Sequence, residues 1–165
     1  DTIRQPAGKL IHRLIDSRMT VVTAESCTGG LIAGALTEIP GSSQAVYGGF
    51  VTYANEAKVA MIGVPEEMIA RYGAVSAQVA RAMADGARRT ARVDVAIAVT
   101  GIAGPDGGSA LKPVGLVHLA CATAGGVSHL ERRFGALGRQ EVRAATVRSA
   151  LELALDCIEP ENIQP

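Results

Sequence analysis

With 165 residues, 48% of them hydrophobic and 19% charged, and a mean hydropathy of +0.22, the chain buries enough apolar surface to offset its ordering entropy, which excludes a disordered tail and a disulfide-stapled mini-protein. Its 16 Lys and Arg balance 16 Asp and Glu, so no global field draws in nucleic acid or an anionic membrane, and 3% aromatics with no Trp supply little for base stacking. Cys27, Cys121 and Cys157 are odd in number and lack a C-x-x-C pair; they predict neither a disulfide framework nor a zinc site and suit a reducing compartment. With no apolar stretch of membrane-spanning length and no leader-like start, the expectation is a cytoplasmic protein.

Residues 6–18 place Leu10, Ile11, Leu14 and Ile15 at helical spacing. A β-branched run over 20–25 stops at Ser26-Cys-Thr-Gly-Gly30, and 31–36 read as a buried helix ending before Pro40. Residues 46–53 form a strand in which Gly48-Gly49 signals a bulge or a close backbone approach, and 54–62 turn helical around Lys58. Pro65 opens a short helix, and Val79, Ala80, Met83, Ala84 and Ala87 mark the apolar face of another over 76–91. Residues 94–100 are an apolar strand of the doubly buried kind, followed by the glycine-rich loop 100–108. Strands at 114–123 and 127–134 flank Gly125-Gly126 as a hairpin, a helix covers about 139–157, and the tail beyond it is expected to fray. This order predicts one α/β domain over residues 1–165, core about 6–157, with a mixed, mostly parallel sheet. Ligands in such sheets bind beyond the carboxyl ends of strands, where 26–30, 53–58 and 100–108 converge.

Ser26 stands where a strand meets a helix, and Thr28, Gly29 and Gly30 can aim main-chain N–H groups at an oxyanion; a plain N-cap in a tight turn uses the same residues. Cys27 is a rival nucleophile at that turn. None of His12, His118 and His129 sits in a turn beside an acid, so a Ser-His-Asp triad has little support. Lys58, flanked by Ala57, Val59, Ala60 and Met61, suits a desolvated base, or else a lysine whose stem lies along a half-buried helix. Tyr53 can donate to that amine or to the serine hydroxyl, or pack at the strand end. The 100–108 loop lacks the spacing of nucleoside-triphosphate and dinucleotide loops, and suits close approach to a phosphate or sugar, or simple mobility. Arg139 and Arg143 share a helix face near Arg132 and Arg133, a phosphate clamp or a solvated charged face.

Five segments taken in order, Ala24-Glu-Ser-Cys-Thr-Gly-Gly30, Gly48-Gly-Phe-Val-Thr-Tyr-Ala-Asn-Glu-Ala-Lys58, Gly73-Ala-Val-Ser76, Thr100-Gly-Ile-Ala-Gly-Pro-Asp-Gly-Gly108 with Lys112-Pro-Val-Gly115, and Arg139-x-x-x-Arg143-x-x-Thr146, resemble the CinA C-terminal domain family over nearly the whole chain. The resemblance implies a three-layer α/β/α sandwich on a five-stranded mixed sheet. It also implies deamidation of nicotinamide mononucleotide (NMN) to nicotinate mononucleotide and ammonia, without metal or organic cofactor. Ser26 is then the nucleophile and Tyr53 and Lys58 its activating partners. Thr28, Gly29 and Gly30 serve the oxyanion, and Thr100, Gly101, Ala103, Gly104, Arg139 and Arg143 hold the substrate. Gly138 stands where the family often has an acid, so Arg143 is expected to lead in phosphate binding. A catalytically silent nucleotide-binding or regulatory module is the alternative. The small domain's apolar helix faces predict a homo-oligomer, with no nucleic-acid or membrane partner.

Overall fold

In the computed structural model, which describes residues 2–158, the β-branched run forms β1 (Val21–Glu25), buried along its whole length. The strand at 46–53 is β2 (Val46–Val51), and the apolar strand is β3 (Val95–Gly101). The hairpin is β4 (Leu116–Thr123) and β5 (Gly126–Arg133). Together they make one sheet in the order β2-β1-β3-β4-β5. The pairings of β1 with β2 and β3 are parallel, and those of β3 with β4 and β4 with β5 are antiparallel.

Strand alternation sorts the core into two apolar layers. Val21, Val95, Ile97, Val99, Val117 and Leu119 face α1 (Arg4–Asp16), α2 (Leu31–Thr37) and α6 (Arg139–Ile158). Val22, Ala24, Ala96, Ala98, Ala120 and Ala122 face the other side. There α5 (Ala77–Ala91) lays Val79, Ala80, Met83, Ala84 and Ala87 on the sheet, with α3 (Asn55–Ile62) and α4 (Glu66–Tyr72) beside it. Alanines dominate this second layer, so α5 can pack close. The α5–α3 contact is closest at Gly86, where a Cβ would overlap the Ile62 carbonyl oxygen at the end of α3.

The glycine pair in β2 accounts for itself. Register between β1 and β2 shifts after Val21, which pairs with Val46 while Val22 pairs with Gly48, leaving Tyr47 bulged. At Gly49 a Cβ would stand 2.6 Å from Thr23 Oγ1, so only glycine fits this close approach. The fraying expected of the tail lies outside the described residues, and among those residues no helix is long and apolar enough to cross a membrane.

Candidate active site

Residues 26–30 leave the sheet at its centre. Ser26 N–H donates to the Val99 carbonyl (3.1 Å), which fixes the serine between the carboxyl ends of β1 and β3. The turn is braced from both sides. On the inside, the buried Glu25 carboxylate accepts from Thr28 Oγ1 (2.6 Å), Ile32 N–H (2.9 Å) and Ala33 N–H (3.0 Å), meeting donors that the first turn of α2 cannot satisfy itself. On the outside, Arg143 Nε donates to the Cys27 carbonyl (3.0 Å) and its Nη2 to the Thr28 carbonyl (3.2 Å).

Lys58 is 1% exposed, which excludes a lysine reaching to solvent from a half-buried helix. Its Nζ lies 3.0 Å from Ser26 Oγ, 2.9 Å from the Thr52 carbonyl and 3.1 Å from the Tyr53 carbonyl. An ammonium has three donors, and these are its three partners. The two carbonyls can only accept, so when the lysine is neutral its two remaining hydrogens satisfy them and its lone pair faces the serine hydroxyl. Burial lowers the Lys58 pKa from 10.5, with a smaller opposing effect from Cys27, and thereby favours that neutral form. At Cys27 burial likewise dominates, pushing the thiol up to about 12 and keeping it protonated. Of the two rival nucleophiles only Ser26 has the Lys58 amine within hydrogen-bond distance.

Ser26, Cys27, Lys58 and Thr100 open into a cavity of about 290 Å³, near the lower bound of small-ligand sites, roughly 300–1,000 Å³. One wall is the loop after β3, including Gly101, Ala103 and Gly104; the opposite wall is Ala74 and Val75. Hydrogen bonds tie these walls together: Thr100 Oγ1 donates to the Ala74 carbonyl (2.9 Å), and Lys112 Nζ donates to the Tyr72 carbonyl (2.5 Å). Segment 73–76, which carried no role in the sequence, thus supplies Ala74 and Val75 to the pocket, and Lys112 braces the chain just before it from outside the lining. A larger groove of about 740 Å³ between α1, α2 and α6 is lined by apolar residues with Glu38 and both arginines, and holds neither Ser26 nor Lys58.

Three expectations are corrected here. The Tyr53 phenol does not reach Lys58 or Ser26; its hydroxyl accepts from Arg139 Nη2 (3.0 Å) at the cavity rim, and the residue touches Lys58 through its carbonyl. Arg143 does not line the cavity, because its guanidinium is spent on the turn; Arg139 lines it, with Nη1 donating to the Gly104 carbonyl (2.9 Å). Thr28, Gly29 and Gly30 also lie outside the lining, and Gly29 N–H is committed to the Ser26 carbonyl (3.1 Å), whereas Cys27 is in the lining. Sequence reasoning passed over Asn55 and Asp106, which line the cavity, and over Glu25, whose signal was a lone acid ending a strand otherwise made of Val, Thr and Ala.

The histidines stay apart from this chemistry. His118 Nδ1 and His129 Nε2 are 2.9 Å apart in stacked rings, and burial lowers both pKa values. Arg133, on the same strand as His129, pairs with Glu131 (3.1 Å) and stands in solvent. Among the described residues no cluster of His, Cys, Asp and Glu is placed to hold a metal ion.

Comparison with known proteins decides the family. A family model described as the CinA C-terminal domain matches residues 4–158. The chain belongs to the CinA C-terminal domain family. This CinA domain is 51% identical over 148 residues to a CinA-like protein of Synechococcus sp. (strain RCC307), covering 89% of the chain and 36% of that protein. It is 55% identical over 134 residues to a CinA-like protein of Geobacter sulfurreducens, covering 81% and 32%. The chain therefore spans about a third of the length of these curated relatives. A crystal structure of the competence/damage inducible protein CihA from Agrobacterium tumefaciens superposes with a TM-score of 0.93 at 55% identity, covering 94% of this chain and 95% of that one. A CinA superfamily protein from Escherichia coli gives 0.88 at 39% identity, covering 93% and 90%.

Proposed function

We propose that this CinA domain is a serine amidohydrolase that deamidates NMN to nicotinate mononucleotide and ammonia. The contact between Ser26 Oγ and the buried, desolvated Lys58 amine carries this reading. A hydroxyl beside a lysine whose other partners are carbonyls is an activated nucleophile, and NMN is the substrate implied by the family resemblance. Neutral Lys58 accepts the Ser26 proton while Oγ bonds to the carboxamide carbon. Main-chain N–H groups of the lining hold the developing oxyanion. The C–N bond then breaks as Lys58 returns its proton to the departing nitrogen, which leaves as ammonia. Water deprotonated by the same amine attacks the acyl-enzyme, releasing the nicotinate carboxylate and regenerating the serine hydroxyl.

The phosphate falls to Arg139. Two of its five N–H donors serve Gly104 and Tyr53, and the rest remain for an anion at the cavity rim. The deciding experiment incubates the domain with NMN and follows ammonia and nicotinate mononucleotide together, with Ser26→Ala alongside. Stoichiometric release by the parent chain and none by the variant is expected. Saturable NMN binding without ammonia would establish the silent binding module instead.

A further inference from the structure

The groove between α1, α2 and α6 takes no part in the proposed reaction, yet it shares a residue with the Ser26 cavity. Its apolar walls are aliphatic, with Leu31, Ala35, Ala144 and Val147 among them and no aromatic ring. Leu31 is 45% exposed there, and Gly34 faces open space, since a Cβ built on it meets nothing within 4 Å. Arg139 lines the groove and the Ser26 cavity alike, while Arg143 lines the groove and clamps the nucleophile turn. That clamp uses two of the five N–H donors of Arg143, and neither guanidinium is paired with a carboxylate among the described residues. Because it holds the carbonyls of Cys27 and Thr28, Arg143 marks the end of the groove where α2 begins. Glu38, the one acid of the lining, follows the other end of α2, about 10 Å along the axis.

We propose that this groove binds a small amphipathic anion, a free medium-chain aliphatic carboxylate, and that its occupancy weakens NMN binding through Arg139. The second part rests on the phosphate assignment made for Arg139 under the deamidase reading. Charge complementarity sets the head, because a carboxylate matches the guanidinium fork and Arg143 keeps donors to offer it. The aliphatic walls set the body, a saturated chain in place of a ring that would want an aromatic face to stack on. A volume of about 740 Å³ falls in the range of small-molecule sites, roughly 300–1,000 Å³. Glu38 sets the far end, since it repels a second carboxylate and leaves room only for an uncharged chain terminus.

The shared arginine gives the coupling its sign. Arg139 and Arg143 stand one turn apart on α6, so a carboxylate between them draws on donors that the phosphate at the cavity rim uses and adds a like charge beside it. KM for NMN therefore rises. Ser26 and Lys58 lie outside the groove lining, so kcat is unchanged.

The test titrates octanoate, octylamine and acetate into the native chain by calorimetry, with Gly34→Phe alongside, and repeats NMN kinetics with and without octanoate. Saturable one-to-one binding of octanoate is expected, with acetate and octylamine each at least about ten-fold weaker. Gly34→Phe fills the open space beside α2 and should weaken octanoate about ten-fold or more, with kcat and KM for NMN as in the parent. At saturation octanoate should raise KM for NMN about three-fold or more in the parent and not in Gly34→Phe; by reciprocity, NMN should weaken octanoate binding to Ser26→Ala by the same factor. The three probes on the parent chain need no variant to fold. Octanoate bound no better than octylamine or acetate would overturn the proposal. So would an equal rise of KM in Gly34→Phe, or a dimer in sedimentation that Gly34→Phe dissociates, which would give the groove to a second copy of the chain. Octanoate binding by a chain that releases no ammonia from NMN would uphold the site and overturn the deamidase reading instead.

Discussion

Two cysteines, one in the turn after β1 and one near the end of α6, face opposite conditions. Cys27, in the turn after β1, is buried, and that burial outweighs the main-chain N–H beside its sulfur and pushes the thiol up to about 12; Cys157, half-buried near the end of α6, is drawn down to about 6, the influence of Cys121 outweighing burial. Their neighbours, not their residue type, set their reactivity. In the parallel half the polarising group is Lys58, and it points past Cys27 to the adjacent hydroxyl. The stronger nucleophile in solution is thus held protonated, and the hydroxyl next to it is the one that meets the amine, within one turn of chain.

The sharpest way to break this comparison is to exchange the two neighbours. Ser26→Ala should lower kcat on NMN by on the order of 10⁴-fold or more, while Cys27→Ala stays within about ten-fold of the parent. Turnover retained in Ser26→Ala and lost in Cys27→Ala would invert the assignment. Lys58→Met and Lys58→Arg should each cost about 10²–10⁴-fold in kcat/KM, because arginine keeps the charge but cannot give up its proton. The sign of the pH response follows from the depressed pKa. The working form is neutral, so the rate should fall as pH drops through the Lys58 pKa, which lies below 10.5, and level off above it. A rate that instead rises with acid over that limb would leave Lys58 as a positive charge only.

Smaller effects should separate the two arginines of α6. Arg143→Ala removes two bonds that hold the carbonyls of Cys27 and Thr28 and should cost about 1–3 kcal/mol in urea unfolding, with a loss of kcat. Arg139→Ala, exposed at the rim, should leave stability within about 0.5 kcal/mol and raise KM for NMN about ten-fold or more, with no matching effect on the dephosphorylated riboside. The smallest change belongs to Tyr53→Phe. Its hydroxyl bonds to Arg139 and not to the lysine, so kcat should drop by no more than about ten-fold; a fall of about a hundred-fold or more would return the phenol to the proton-transfer chain.

Much of this architecture was legible from the chain alone, since alternation and glycine placement act locally. The β1 run, the apolar β3, the Gly48-Gly49 bulge and the apolar face of α5 each follow from residues within a few positions of one another. The Ser26–Lys58 pair was reachable because both residues follow strand ends and such ends converge. The direction of a long side chain was not reachable. Arg139 and Arg143 share a helix face in sequence, yet one turns to the cavity rim and the other clamps the turn behind it, and Tyr53 reaches Lys58 with its backbone and not its ring. Those choices depend on carbonyls left unpaired by the turn and the 100–108 loop, which no periodicity encodes. The Lys112 bond to Tyr72 stayed hidden for the same reason, being a contact across 40 residues of chain.

The contact of Gly86 with the end of α3 sets a trap for protein engineering. Glycine inside an exposed helix is ordinarily the first residue replaced by alanine, for a gain of roughly 1 kcal/mol. Here the added methyl would displace the carbonyl that ends the short helix bearing Lys58, one turn downstream of the lysine. An amine aligned to three acceptors over about 3 Å has little slack, so a screen for thermal tolerance alone would judge Gly86→Ala by the wrong property, its main cost being the alignment of the Lys58 amine with Ser26.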